Sequence, residues 1–347
     1  MLIIWRREYF EGYTKGSFLS VVGIIANPSA GKDIRRLVSE SRFISNQEKI
    51  NIIRRVISSL VQLEIESILL MPDYGNLTKE AIKEMNDVDV FEFINIPVFN
   101  SEQDTTKAAK IMEEKGASAI VTLGGDGTNR AVALGTSKVP LMPISTGTNN
   151  AFPVTIEGTL AGVCAAVVAK GQVDIEVCAP LCRKLSVSVD GTLSDVALVD
   201  VAVSDKRFVG SRAIWDTSSV SDLYLAKASP QTIGLSSIGG FLNPLLDDDD
   251  FGLHVEIEGN PTQHVLAPVI PGKLERVGIR GFEKMPFLQP FTVSGKQCTL
   301  ALDGERAIPL KEDQVATICV SRDGPPVIDS DKTLLVAAES GIFIRDV

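Results

Sequence analysis

Three short apolar runs in the first 150 residues each end in a glycine-bearing turn, and this repeated arrangement constrains the fold more than any other feature. Residues 21–26 lead into Asn27-Pro28-Ser29-Ala30-Gly31, residues 119–123 into Gly124-Gly125-Asp126-Gly127-Thr128, and residues 140–146 into Gly147-Thr148-Asn149-Asn150. Runs this short and mainly apolar read as strands buried on both faces, as in a parallel sheet covered by helices. Between them, Ile50, Ile53, Val56, Ile57, Leu60 and Val61 recur at helical spacing, with Arg54 and Arg55 facing away. Residues 65–71 and 90–99, the latter broken by Pro97, read as strands; Ser101 and Asp104 form a capping box opening a helix to about Lys115. Strands alternating with helices imply an α/β N-terminal domain, a parallel sheet with flanking helices, over residues 1–150. Its first 20 residues read as an extension carrying Trp5, Tyr9 and Phe10.

The rhythm then changes. After a small-residue helix at 161–169, short strands are expected at 175–177, 185–189, 196–203, 253–257, 292–293, 299–302 and 315–320, separated by Gly, Asp and Pro turns. That pattern predicts a C-terminal β-sandwich-like domain over residues 151–330, with 331–347 returning to the first domain. The Asp247–Asp250 run reads as a solvated loop, and residues 234–240 as a flexible small-residue loop that approaches ligand or turns a corner.

Hydrophobic residues make up 44% of the chain and charged ones 22%, enough for a sizeable core. The net charge of −10 argues against nucleic acid, whose binding needs a basic surface, yet leaves room for anions held by a few local groups. Five scattered cysteines and two histidines make neither a disulfide framework nor a zinc site, so free thiols and no metal set are expected. No run approaches the ~20 apolar residues of a membrane span. The opening Met1-Leu2-Ile3-Ile4-Trp5 precedes Arg6, Arg7 and Glu8, the reverse of secretory order, so a cytoplasmic location is expected.

The three turns lie where parallel sheets bind ligands, at the carboxyl ends of strands. Gly124, Gly125 and Gly127 let backbone amides approach a polyphosphate, with Arg130 just beyond and Lys32, Arg35 and Arg36 beside the first turn. Taken singly, each is also what an ordinary βα turn looks like. Asp126 has two readings: a general base or cation holder, or a carboxylate that rigidifies its turn through backbone amides. Asp303-Gly304-Glu305 reads equally as a hairpin turn.

In order, these segments resemble one superfamily. Asn27-Pro28-Ser29-Ala30-Gly31-Lys32 is similar to a motif of diacylglycerol and sphingosine kinases, and Gly124 to Thr128 to one shared with NAD kinases. Thr146 to Asn150 and Asp303-Gly304-Glu305 resemble two further motifs of the group. The run from Gly23 to Arg36 looks closest to the acetoin-catabolism X branch of the ATP–NAD kinase and diacylglycerol kinase superfamily. The resemblance implies an ATP- and Mg²⁺-dependent kinase acting on a hydroxyl of NAD or a related small molecule, with the site between two domains. It implies Asp126 as acid–base residue and Glu305 as accessory carboxylate. Nucleotide binding falls to Asn27, Ser29, Gly31, Lys32, Gly124, Gly125, Gly127, Thr128, Asn129, Thr146, Gly147, Thr148, Asn149, Asn150 and Asp200. A homo-oligomer is the family expectation. Two departures stand out: Ala151 follows Asn150 where lipid kinases carry Asp, and Val199-Asp200 lacks the amide NAD kinases use to grip the dinucleotide. A lipid kinase-like enzyme and a non-catalytic nucleotide-binding regulator are the alternatives.

Overall fold

The computed structural model describes residues 19–31, 43–86, 88–205, 217–259, 261, 263–304 and 306–344. The extension up to residue 18, and Lys32, Arg35, Arg36 and Glu305, lie outside the described residues.

The first half is a parallel sheet of β1 (Val21–Ala26), β2 (Ser67–Leu70), β3 (Phe91–Phe93), β4 (Ala119–Gly124) and β5 (Leu141–Ser145), in spatial order β3-β2-β1-β4-β5. Its flanking helices include α1 (Asn46–Gln62), α2 (Leu77–Ile82), α3 (Glu102–Glu114) and α4 (Asp126–Gly135). The stripe of α1 forms one face of the core, where Ile53, Val56, Ile57 and Leu60 are fully buried. Helix α5 (Gly158–Ala169) packs on α1 at close range. A Cβ at Gly162 would meet the Val56 carbonyl at 2.6 Å, so the small residues there set the distance between the helices. Asp104 caps α3 by accepting from the amides of Ser101 and Phe99. The strand expected over 90–99 is only three residues long, because the segment through Pro97 leaves the edge of the sheet. The expected strand at 175–177 is instead the short helix α6 (Ile175–Cys178), opened by the Asp174 side chain on the Glu176 amide.

The second half pairs two antiparallel sheets. In chain order its strands are β6 (Lys184–Val189), β7 (Thr192–Ala197), β8 (Asp200–Ser204), β9 (Val220–Leu225), β10 (Phe251–Ile257) and β11 (Gln263–Ile270). They continue with β12 (Lys273–Pro286), β13 (Phe291–Val293), β14 (Cys298–Leu302), β15 (Arg306–Leu310) and β16 (Ala316–Ser321). The sheets run β11-β12-β10-β9-β8-β14-β15 and β13-β16-β6-β7. Leu185, Val187, Val201, Val203, Leu300, Leu302, Ile318 and Val320 fill the space between them. The strand expected over 196–203 is two strands, interrupted at Leu198 and Val199, for a reason that belongs to the site.

Residues 234–240 are not a flexible loop. Gly234 caps helix α7 (Leu235–Leu242), which covers the other face of the large sheet. A Cβ at Gly239 would lie 2.3 Å from Leu225, so its small residues serve close packing. The carbonyls of Asp247 and Asp249 accept from Arg183 and Arg322, so the acidic run is a held loop in which Asp247, Asp248 and Asp250 are exposed and Asp249 is half-buried. After β16 the chain returns beside β5, and α8 (Ser330–Glu339) lies against α5. All five cysteines are free, and no helix among the described residues is long and apolar enough to cross a membrane.

Candidate active site

The glycine turns meet as one body. Asn27 donates through its side chain to the Thr128 hydroxyl at 2.9 Å and accepts from the Ser29 amide at 2.8 Å. Thr146 donates its amide to the Gly124 carbonyl. Gly31, at φ 77°, approaches the Thr146 carbonyl so closely that a Cβ would stand 2.9 Å away. Gly124, Gly125 and Gly147 are equally confined: a Cβ on the first would collide with Thr128, and on the other two with the Asn150 amide. Asn150 is assigned with its oxygen accepting from the Ser145 hydroxyl and the Gly147 amide, and its nitrogen donating to the Asn149 carbonyl.

Two cations behave unexpectedly. Lys49 sits in the apolar stripe of α1, fully buried, and donates to the carbonyls of Asn27, Pro28 and Ala30 at 2.8–3.3 Å. Holding those carbonyls inward fixes the first turn from below. Arg130 does not face a phosphate; it is buried and paired with Glu102 at 2.7 Å and Asp195 of β7 at 2.8 Å, bridging the two halves. Asn129 is spent on the turn too, donating to the Gly125 carbonyl and accepting from Thr122.

Asp126 is the first residue of α4, with Gly125 as its cap. Its carboxylate accepts from the amides of Ala151 (3.1 Å) and Phe152 (2.8 Å), where the chain crosses into the second half. An ionised carboxylate has about four acceptor sites, so two amides need not exhaust it. Opposite, the half-buried Lys227 reaches over the Phe152 ring, 6.0 Å from its centroid. Burial pushes its ammonium down, with the Asp126 and Asp247 carboxylates pulling it back.

Asp303 mirrors this arrangement. At φ 49° after β14, it accepts from the amides of Leu198, Val199 and Asp200 at 2.8–3.2 Å. Those amides are turned to a carboxylate, so β7 and β8 cannot be one continuous strand. Burial pushes Asp303 up, opposed by the three amides and by Arg130. Asp126, Asp200 and Asp303 line one pocket with Asn149, residues 233–236 and Val269–Ile270, about 30 Å³ in volume. A second, larger cleft of about 240 Å³ opens on the sheet edge between Asn27, Ser29, Tyr74, Glu102, Gly127 and Thr128.

The three aspartates are no metal centre as they stand: no set of three or more ligands suited to a metal ion is assembled among the described residues. Two of the carboxylates are turned to backbone amides instead. Thr148 lies on the third turn without lining either pocket. Lys49 and Lys227 escaped the sequence reading; the signal was a single lysine inside an otherwise apolar stripe or strand end.

Residues 22–173 match the ATP-NAD kinase N-terminal domain, and residues 183–323 the acetoin catabolism protein X C-terminal domain. Acetoin catabolism protein X of Cupriavidus necator is 33% identical over 311 residues, covering 86% of this chain and 87% of that protein. Among solved structures, yeast NADH kinase complexed with NADH aligns over 95% of this chain and 89% of its own, at 12% identity and TM-score 0.49. A diacylglycerol kinase from Bacillus anthracis aligns over 90% and 98%, at 13% identity and TM-score 0.44.

Proposed function

This chain belongs to the acetoin catabolism protein X family, and from that premise we propose that it is a kinase, moving the γ-phosphoryl group of ATP to a hydroxyl of NAD or a related small molecule. The observation that carries the reading is the position of Asp126, at the positive end of α4, on the seam between the glycine turns and the second domain. ATP binds in the larger cleft, its phosphates over the Gly127 and Thr128 amides at the start of α4, which have no intrahelical carbonyl to meet. The acceptor hydroxyl lies on the Asp126 side. Its oxygen bonds to the γ-phosphorus, the bond from phosphorus to the β,γ-bridging oxygen breaks, ADP leaves with that electron pair, and Asp126 takes the hydroxyl proton. Lys227 offsets charge next to Asp126. Mg²⁺ would accompany the nucleotide, held chiefly by its phosphates and neutralising their charge, since no group of three or more ligand side chains is assembled among the described residues. The name of the Cupriavidus relative supports a role beside acetoin catabolism.

The test is turnover of ATP with NAD and small hydroxyl compounds by the wild-type chain and by Asp126→Asn. The reading requires ADP and a phosphorylated product, lowered ~10²-fold in the variant while ATP still binds. ATP binding without any turnover would favour the regulator instead, a second reading supported by the two amides already on Asp126.

A further inference from the structure

Tyr74 is 75% exposed, yet the loop that carries it is fixed on both sides. Before it, the buried Asp73 accepts from the amides of Leu77 and Thr78 at 2.9 and 3.1 Å, opening α2. After it, Gly75 lies so close to the first glycine turn that a Cβ would stand 2.8 Å from the Pro28 side chain. Pro28 follows Asn27, which bonds the Thr128 hydroxyl at the start of α4. Tyr74 is thus tied, through two short contacts, to the end of the cleft where the Gly127 and Thr128 amides lie. A single exposed apolar residue on a protein surface needs no explanation. Tyr74, however, lines the larger cleft, and so does Val98, 36% exposed, on the segment that follows β3. The cleft therefore combines amides at a helix start with an uncovered aromatic ring and an uncovered aliphatic side chain.

We infer that Tyr74 is the platform on which the base of the nucleotide stacks, and that the cleft selects purine over pyrimidine nucleotides. The amides at the start of α4 meet phosphate and carry no information about the base. A planar base presents a π-face that an aromatic ring can cover, and the attraction grows with the area of ring that overlaps, so a two-ring purine gains more than a one-ring pyrimidine. Val98 adds apolar contact area in the same cleft. Because Asp73 and Gly75 already hold the loop, stacking on Tyr74 has little backbone left to order. The inference rests on the reading that a nucleoside triphosphate lies in this cleft with its phosphates at Gly127 and Thr128; it adds the residue that meets the other end and the class of base preferred.

The experiment is calorimetric titration of the full chain with ATP, GTP, CTP and inorganic tripolyphosphate, for the wild type, Tyr74→Ala and Tyr74→Phe. The exposed position lets both variants fold, which thermal unfolding checks. The expected result is that the wild type binds ATP and GTP more tightly than CTP. Tyr74→Ala should weaken ATP about tenfold or more and bring it level with CTP, while Tyr74→Phe, which keeps the ring, stays within about twofold of the wild type. Tripolyphosphate, which has no base, should bind all three proteins alike. Undiminished ATP binding by Tyr74→Ala, or CTP bound as tightly as ATP by the wild type, overturns the inference and leaves the nucleotide cleft in place. Equal weakening of ATP and tripolyphosphate also overturns it, because the substitution would then act through the first glycine turn. A wild type that binds neither ATP nor tripolyphosphate removes the nucleotide reading itself, and this inference with it.

Discussion

Asp126 and Asp303 answer one local problem in two settings. Each precedes a glycine, and each turns its carboxylate onto consecutive backbone amides of a distant segment: Ala151 and Phe152 for the first, Leu198 to Asp200 for the second. Asp303 closes a turn within the β-rich half, holding the break between β7 and β8 of its own domain. Asp126 begins a helix on the seam, beside Lys227 and the larger cleft's glycine turn. The same bonding therefore pins a fold in one place and poises a carboxylate next to ligand space in the other. Local motif does not decide which; the surroundings do.

The comparison is broken first by removing the pin. Asp303→Ala strands three buried amides, so equilibrium unfolding in urea should show a loss of about 3 kcal/mol or more. A loss below ~1 kcal/mol would mean that the amides find other partners. Next in size, Asp126→Asn should cost ~10²-fold in turnover but only about 1 kcal/mol in stability, the opposite balance from Asp303. Equal stability losses at the two positions would erase the distinction. Lys49→Met removes the donor beneath residues 27–30 and should weaken ATP binding about tenfold by calorimetry, leaving both aspartates in place. The smallest effect is on pH dependence. Burial raises Asp303 above its ordinary 3.8, so the folded state binds its proton more tightly than the unfolded. Its contribution is therefore full below that value and declines as pH rises through the raised one. Asp303→Asn should flatten that acid-side slope in urea titrations at several pH values, whereas Asp126→Asn should not.

Much of this was legible beforehand. The strands read over 21–26, 119–123 and 140–146, found at Val21–Ala26, Ala119–Gly124 and Leu141–Ser145, and the apolar stripe of α1 follow from periodicity, and the glycine turns from composition. Reading residues 196–203 as one strand failed because Leu198 and Val199 are apolar enough for a strand, yet their amides are claimed by a carboxylate a hundred residues on. Residues 234–240 read as loop because small residues carry weak helix signals, and their packing against β9 is invisible locally. Arg130 stands just beyond the central glycine turn in the sequence, and nothing in its neighbourhood there announces Asp195.

By itself, then, the sequence determined the alternation of buried strands with helices, the three glycine turns and the presence of Asp126 among them, because periodicity and conformational freedom are local properties. Only the tertiary structure decided what each charge meets. Lys49 went to carbonyls, Arg130 to Asp195, and Asp303 to the amides of a broken strand, while Asp126 and Lys227 were left facing each other's neighbourhood across the seam. Buried charges must find partners, and those partners are chosen by proximity in space, which spacing along the chain does not encode.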